Sequence, residues 1–566
     1  MNKAKEKRGK GWLTSWCASH LSVLLFAFST LVYLLTMDRS SSWWDCGEFI
    51  ATGWTLGVGH PPGAPVYQLL SHLFMLLSFG NPMWVAPLSN AFSALCGGVT
   101  VGLLYATLRL LGTRGFGAAV GAWCYLFCDT AWFSAVESEV YAPAMLCCAL
   151  DVYLALRWRA TGNARLLPLL GLLLGLGVGV HMMTLLVVPA LALILFARLP
   201  RPSRITRLFR VFLFSLFFLL LGLTPYAIIP LRAAANPPIN EMGESFGAYL
   251  KRDQYEKAPL YPRMWRERDS ANWEEWTLGT EGVLGNVVYY GSYQVGFMYL
   301  RYLMYNFIGR ENIHWHCVVV FVLPFLLGLW GLWQHRKRSR VDFWVIMLLF
   351  LFGGLILNLY LNHPCYEPRS RDYVYVLSFY AFALWIGIGA DNLPRRWWRW
   401  LALLAPLTMA IGNWSDHDRS HCHSVHDIAA NHLESCDPDA ILITLGDNDT
   451  FPLWYLQQVE GLRTDVDVYN LGLTGWQEVL RIIGTAGSRP VYFTQYFYQR
   501  YAYLFPGQLR CEGFCWRLVS PGADLTPVVH DGIRWNITER EYVDRVSEKF
   551  LASWQKNTGE AIKSQR

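Results

Sequence analysis

The chain has 566 residues, of which 53% are hydrophobic, 15% aromatic and only 16% charged, and its mean hydropathy is +0.24. Soluble domains carry about a quarter charged residues, so this composition excludes an ordinary soluble protein and indicates a multi-pass membrane protein. The net charge of +6 comes from short basic clusters rather than one long basic face, which excludes a nucleic-acid-binding protein.

The first predicted element is a membrane anchor. Residues 1–10 are rich in Lys and Arg, and the apolar run at about 17–37 is long enough to span a bilayer. No small-residue cleavage site follows this run, which favours an uncleaved signal anchor. The positive-inside rule then places the N-terminus in the cytoplasm and the next loop, 38–84, outside.

This first external loop contains the densest group of candidate residues. Trp43 and Trp44 should lie in the headgroup zone and hold Asp45 and Glu48 at the membrane surface. The i,i+3 spacing of the two acids suits either a capping box or a pair of carboxylates facing a substrate. His60 begins a His-Pro-Pro-Gly segment, which is either a turn that starts a helix or a catalytic imidazole.

The apolar segments that follow predict about eleven membrane spans in all. Segment 65–79 is apolar but short, so it is predicted to be an interfacial or re-entrant helix. Several of the further spans are shorter than the ~20 residues that a bilayer normally requires. The further spans are predicted at 85–111, 116–133, 142–158, 166–181, 184–197, 208–231, 318–333, 341–361, 373–390 and 398–411.

The distribution of basic residues supports this topology. Arg and Lys clusters recur in one set of alternate loops, whereas the opposite short loops contain acids and histidines. The exception is segment 363–372, because Arg369 and Arg371 lie there on the external side. The long external loop 232–315 is exempt from the rule. The C-terminus is therefore predicted to be external.

Further candidates lie at the external ends of later spans. Glu137 and Glu139, with Tyr141, either favour the dipole of the following helix or bind a metal or an acceptor. His181 is either an interfacial residue or a phosphate contact. Arg369 and Arg371, beside Asp372, are suited to clamp a phosphate, since guanidinium binds phosphate oxygens with two parallel hydrogen bonds.

The apolar runs stop after residue 413. A buried strand at 440–446, a helix at 452–460, a second strand at 466–471 and a further strand at 489–494 predict a small external α/β domain over 414–566. Asp447 and Asp449 follow the first strand, where open α/β sheets bind ligands. A role as a helix cap is equally consistent with the pattern.

Several motifs resemble those of a known superfamily. The acidic first loop (Asp-Cys-Gly-Glu), His-Pro-Pro-Gly, Glu-Ser-Glu-Val-Tyr, Pro-Arg-Ser-Arg-Asp-Tyr and Gly-Asp-Asn-Asp-Thr-Phe-Pro are similar to those of GT-C membrane glycosyltransferases. They resemble more closely a bacterial family whose eukaryotic relatives are described as protein O-mannosyltransferases. The resemblance implies a GT-C transmembrane catalytic domain over 1–413, followed by the α/β domain.

The resemblance also implies a reaction. A polyprenyl phosphate or pyrophosphate would donate a sugar or an oligosaccharide to Ser or Thr of an exported protein, with inversion. Asp45 would be the general base and Glu48 would orient it or the acceptor. Arg369, Arg371, His60 and His181 would bind the donor phosphate. Whether Asp45, Glu48 or Glu139 binds Mg²⁺ or Mn²⁺ stays open. The expected location is a bacterial inner membrane, with a periplasmic active site.

Two alternatives remain. The same chemistry could act on a glycolipid or a lipopolysaccharide core. The chain could instead transport a lipid-linked sugar, with the intramembrane Asp151 as its coupling site.

Overall fold

The computed structural model describes residues 21–197, 205–310, 322–365, 370–395, 397–528 and 530, with the backbone alone for 205–208 and 210–211. Arg369 lies outside the described residues. The predicted architecture of a helical membrane protein with a small C-terminal sheet is confirmed.

The N-terminal half of the chain is helical because apolar residues form long uninterrupted runs there. Its α-helices are Leu21–Thr36, Cys46–Thr55, Pro65–Met75, Val85–Leu110, Gly115–Leu126, Asp129–Ala135, Tyr141–Thr161, Leu166–Val180, Val188–Phe196, Ile205–Gly222 and Ile228–Ala234. We call Cys46–Thr55 the first-loop helix.

Helices also fill the long loop and the segment that follows it. They are Phe246–Lys251, Ser270–Thr277, Gly282–Tyr289, a π-helix at Tyr290–Leu300, Arg301–Phe307, Leu323–Arg338, Arg340–Phe352, Leu355–Leu361, Val376–Asp391, Trp398–Leu401 and Leu404–His417. Residues 282–307 therefore form a continuous helical segment, which the sequence reading did not resolve within the long loop.

Eleven membrane spans are not confirmed. Four helical segments within the described residues are long and apolar enough to cross a bilayer: Pro82–Leu110, Phe212–Ala234, Arg340–Leu361 and Asp372–Asp391. Four more apolar helices are shorter: Leu21–Thr36, Gly115–Leu126, Leu166–Val180 and Met182–Phe196. The predicted span 116–133 is interrupted, since one helix ends at Leu126 and the next begins at Asp129, where Arg310 binds the carboxylate.

The C-terminal region contains a five-stranded sheet with the order β2-β1-β3-β5-β4. Strands β1 (Ile441–Thr444), β2 (Asp467–Asn470) and β3 (Val491–Phe493) are parallel, which confirms the predicted βαβ arrangement. The antiparallel pair β4 (Leu509–Glu512) and β5 (Cys515–Leu518) was not predicted.

Helices pack around this sheet. They are Ser424–Glu434, Asp447–Tyr455, a π-helix at Leu456–Glu460, Leu471–Thr474, Trp476–Thr485 and Gln495–Tyr501. The helix predicted at 452–460 in fact begins at Asp447, which places Asp447 and Asp449 in its first turn. The prediction was wrong because Pro452 suggested a helix start, whereas this proline lies inside the helix. We call Asp447–Tyr455 the sheet-edge helix.

One hydrophobic cluster joins the two parts of the molecule. Cys46 and Ile50 of the first-loop helix are buried together with Leu442 of β1 and Leu453 of the sheet-edge helix. Each fully buried side chain of this size contributes about 1.5–3 kcal/mol relative to the exposed state. The first-loop helix and the sheet therefore share one buried hydrophobic core.

Candidate active site

Asp45 is positioned at the start of the first-loop helix. It occupies the N-cap position, but its side chain makes no capping hydrogen bond. Its backbone carbonyl accepts the Phe49 N–H at 2.9 Å, which is the first hydrogen bond of the helix. The capping-box interpretation is therefore wrong, and the half-buried Asp45 carboxylate is not consumed by the helix terminus.

Glu48 is fully buried and is bound by His60. Its two carboxylate oxygens accept the His60 backbone N–H and contact His60 Nδ1, each at 2.5 Å. Gly59 permits this approach, because a Cβ there would lie 2.6 Å from Glu48 Oε1. Burial disfavours the charged imidazole, but the Glu48 carboxylate outweighs this effect and raises the pKa of His60 to about 10. The two residues form a charged pair at neutral pH.

Glu241 joins this cluster from the long loop predicted at 232–315, and the sequence analysis did not identify it. A short β-bridge between Val58 and Asn240 places Glu241 beside the first loop. Both Glu241 carboxyl oxygens are buried, and the carboxyl group lies beside that of Glu48. Burial, followed by repulsion from Glu48, raises the pKa of Glu241 well above its usual range. No motif surrounds Glu241, so the sequence contained no signal for it.

The tyrosine Tyr249 fixes the same turn. Its hydroxyl donates to the Gly59 carbonyl at 2.7 Å. Gly63 allows the contact, because its backbone φ is +79° and a Cβ there would lie 2.8 Å from the Tyr249 hydroxyl oxygen. The His-Pro-Pro-Gly segment is therefore a turn, as one reading predicted, and it also delivers His60 to Glu48.

His181 lies near this acidic group but is neutral. Its Nδ1 accepts the Met183 N–H at 3.2 Å and so caps the following helical turn. Burial, with further effects from Arg252 and His60, lowers the pKa of His181 to about 4. Asp45 and His60 are therefore close enough to His181 to interact with it electrostatically. At neutral pH His181 can offer a ligand a hydrogen bond but not a positive charge.

A chain of aromatic contacts connects His181 to Arg371. The His181 ring packs on Tyr141 with centroids 5.3 Å apart, and Tyr141 packs on Tyr373 at 4.5 Å. Arg371 Nη1 donates to the Tyr373 hydroxyl at 2.7 Å, and the Arg371 backbone N–H donates to the Tyr302 hydroxyl at 3.0 Å. Candidate residues from three distant segments are therefore brought together.

Other predicted residues are engaged elsewhere. Glu137 is buried and accepts Arg419 Nη1 at 2.6 Å, and Arg419 also lies 3.7 Å from Asp38. Asp372 accepts the Thr130 hydroxyl at 2.6 Å. Glu139 accepts the Val140 N–H at 3.2 Å, at the start of the next helix. These contacts point to structural roles.

The two aspartates of the sheet-edge helix differ. Asp449 is buried and accepts the Leu445 N–H and the Thr494 hydroxyl, so it fastens the end of β1 to the end of β3. Burial raises the pKa of Asp449 to about 6. Asp447 is exposed and lies within electrostatic range of Glu241, so only Asp447 faces the acidic cluster.

Asp151 lies inside the helix Tyr141–Thr161 and is fully buried. Its carboxylate oxygens make no hydrogen bond to any part of the chain that the structure describes.

The acids do not fit a divalent metal ion. Over the described ranges, no group of three or more His, Cys, Asp or Glu side chains is arranged to hold one. Glu48 already binds His60 through both oxygens, and Glu139 accepts the backbone N–H of Val140. These two carboxylates would have to leave their partners before they could bind Mg²⁺ or Mn²⁺.

Comparison with known proteins supports the family resemblance. A family model described as the protein O-mannosyl-transferase TMEM260 N-terminal domain matches residues 45–204. A second, described as TMEM260-associated domain 2, matches residues 425–477. The first match begins at Asp45, and the second includes the whole sheet-edge helix.

Individual relatives agree. Protein O-mannosyl-transferase TMEM260 of Mus musculus is 25% identical over 486 residues, which are 79% of this chain and 62% of the mouse protein. The Dictyostelium discoideum protein of that name is 21% identical over 509 residues, 80% of this chain and 57% of its own length. This chain therefore spans less than two thirds of either relative. The predicted resemblance to protein O-mannosyltransferases is confirmed.

A solved structure is similar over a smaller part. The S. cerevisiae protein O-mannosyltransferase Pmt1-Pmt2 complex bound to the sugar donor is 23% identical to this chain. The match covers 38% of this chain and 33% of that chain, with a TM-score of 0.32.

Proposed function

We propose that this chain is a GT-C membrane glycosyltransferase that transfers mannose from a polyprenyl-phosphate donor to a Ser or Thr hydroxyl of an exported protein. The sugar is taken from the names of the relatives, which are protein O-mannosyl-transferases. In this proposal residues 1–413 form the catalytic membrane domain and 414–566 the external α/β domain.

One observation carries the proposal. Glu48 lies beside His60 and Glu241, and His181 interacts electrostatically with Asp45 and His60. Ring contacts from His181 through Tyr141 to Tyr373 lead from this group towards Arg371. In the proposed site, the Asp45 carboxylate accepts a proton from the acceptor hydroxyl, and Arg371 binds the donor phosphate. A transfer from a phosphate to an alcohol needs both groups.

Asp45 is the proposed general base. Glu48 is bound through both oxygens to His60, whereas the Asp45 carboxylate is not used as a helix cap. As the acceptor oxygen bonds to the anomeric carbon, its proton passes to Asp45 and the bond from that carbon to the phosphate oxygen breaks. A single displacement of this kind inverts the anomeric configuration.

The leaving phosphate gains negative charge and needs positive partners. Arg371 is the proposed partner, with Arg369 as a second guanidinium and the charged His60 contributing to the local field. The neutral His181 would donate a hydrogen bond. The bacterial inner membrane and a periplasmic orientation belong to the same proposal.

Reconstitution in vesicles tests the proposal directly. Purified protein, polyprenyl-phosphate mannose and a Ser/Thr-containing peptide should yield a peptide heavier by one hexose, whereas the peptide with Ala at those positions should remain unchanged. Parallel reactions with a polyprenyl-pyrophosphate oligosaccharide and with a glycolipid acceptor distinguish the alternatives. Transfer to the glycolipid but not to the peptide would overturn the proposed acceptor.

A further inference from the structure

The residue before Asp45 has an unusual backbone conformation. Trp44 has φ +63°, in the left-handed region that bulky L-residues rarely adopt. Its conformation sets the direction in which the chain enters the first-loop helix, and therefore the position of the Asp45 side chain at the N-cap. A strained residue persists only where surrounding contacts hold it.

The Trp44 side chain packs against a hydrophobic cluster that includes Val425 and Phe514, and its backbone is held by a contact from the other end of the chain. The Trp44 backbone N–H donates to Asn448 Oδ1 at 2.5 Å, across 404 residues of sequence. Asn448 is the second residue of the sheet-edge helix, directly after the end of β1 and its connecting turn. Its side chain is therefore fixed to the rigid edge of the sheet.

The two helices approach closely beside this hydrogen bond. A Cβ at Gly47 would lie 2.5 Å from the Phe451 carbonyl oxygen, so the first-loop helix touches the backbone of the sheet-edge helix. Their apolar residues share one buried cluster. Packing therefore keeps the two helices together. The hydrogen bond from Trp44 to Asn448 additionally fixes the backbone of the residue before Asp45.

We propose that Asn448 is a positioning residue, which holds Trp44 in its left-handed conformation and thereby directs the Asp45 carboxylate towards the acceptor hydroxyl. This inference rests on the proposed function and assigns the α/β domain a part in the reaction. Displacement of a reacting group by about 1 Å can lower a rate by about 10²-fold.

Two substitutions of Asn448 by residues of similar size distinguish the loss of the hydrogen bond to Trp44 from a change in packing. Asn448→Leu fills the same space but cannot accept a hydrogen bond, whereas Asn448→Asp keeps an acceptor oxygen. Asn163→Ala is the matched control, because Asn163 Oδ1 also accepts a backbone N–H, from Arg165, in an exposed turn remote from Asp45. All three variants are purified in the full-length chain.

Two measurements are made on each variant. Hydrogen exchange of a peptide covering residues 41–48 reports the Trp44 amide without depending on activity. We expect at least tenfold faster exchange in Asn448→Leu, and exchange close to wild type in Asn448→Asp and Asn163→Ala. The kcat of peptide mannosylation should fall about 10- to 100-fold in Asn448→Leu, with the donor KM unchanged, and should recover in Asn448→Asp.

The outcomes separate two kinds of failure. Unchanged exchange in Asn448→Leu overturns the positioning role, whatever the activity. Faster exchange with unchanged kcat in an active preparation overturns it as well. If the wild-type protein transfers no mannose to any peptide, the proposed function fails, and the exchange data still decide whether Asn448 holds Trp44.

Discussion

Glu48 and Glu137 are both buried acids close to helix termini, but their partners differ. Glu137 binds the guanidinium group of Arg419. Burial disfavours the charge on Arg419, but Glu137 and Asp38 together outweigh this effect and raise the pKa of Arg419. Glu48 binds a histidine and lies beside a second buried carboxyl group, that of Glu241.

This difference in partners indicates a structural role for Glu137 and a role in the active site for Glu48. Around Glu137, a permanent cation and good geometry compensate the charge, as in a structural ion pair. Around Glu48, the cation is a histidine, which can lose its proton, and carboxyl groups outnumber the cations. The net charge of this cluster therefore depends on pH and on what binds there. Strongly perturbed groups of this kind accumulate at functional sites.

The sharpest test of this comparison is Asp45→Asn. The amide cannot accept the acceptor's proton, so transfer should fall by about 10²–10⁴-fold. Radiolabelled mannose transfer to peptide measures the loss, and the thermal unfolding midpoint should stay unchanged. Asp253→Asn, in an exposed ion pair with Lys257, is the control and should retain full activity. Substantial transfer by Asp45→Asn would show that another group is the base.

Glu137→Gln should have a large effect on stability but not on the reaction. The change leaves buried Arg419 without its nearest carboxylate, and loss of one partner of such a pair costs about 3–5 kcal/mol. Thermal unfolding in detergent measures the loss. Glu137→Gln combined with Arg419→Met should be more stable than the single variant. If the folded Glu137→Gln protein lost transfer, Glu137 would belong to the active site.

His60→Gln should reveal a pH-dependent contribution to stability. The pKa of His60 is raised from 6.5 to about 10, so the stabilisation by the charged pair is complete below pH 6.5 and is lost as the pH rises through about 10. A hydrogen bond to a charged group contributes about 1.5–3 kcal/mol. The difference in unfolding midpoint between wild type and His60→Gln should therefore shrink between pH 7 and 10. A constant difference would contradict the charged pair.

Glu241→Gln should have the smallest effect. The raised pKa of Glu241 keeps its carboxyl group protonated at neutral pH, and glutamine is a neutral group of similar shape. Transfer at pH 7 should stay within about threefold of wild type, which corresponds to less than 1 kcal/mol. Kinetic assays at pH 7 test this, with Glu241→Lys as a contrast that introduces a cation beside Glu48. Severe loss in Glu241→Gln would mean that Glu241 acts as an anion.

Much of the fold could be predicted because its signals are local. Apolar runs indicate the membrane helices, and the pattern of short apolar segments after residue 413 indicates the parallel strands. The count of spans could not be predicted, because helices break where polar contacts form, as at Asp129 with Arg310. The start of the sheet-edge helix was missed because a proline inside a helix resembles one at its beginning.

The site was predictable where several residues lie in one motif. Asp45, Glu48 and His60 occur within one loop, and their closeness in space follows from their closeness in sequence. Glu241 and Asn448 could not be found, because each reaches the loop through tertiary contacts. Arg419 was missed for the same reason, although an arginine on the external side was itself a signal.

The shared core of the first-loop helix and the sheet has a consequence for biosynthesis. Met75, Val85 and Ala86 of this cluster follow Cys46 and Ile50 closely in the sequence, whereas the sheet residues that complete it are translated about 400 residues later. At about 5–20 residues per second, the loop waits on the order of 20–80 s for its cover. The core around the first-loop helix therefore stays incomplete until the sheet has been made.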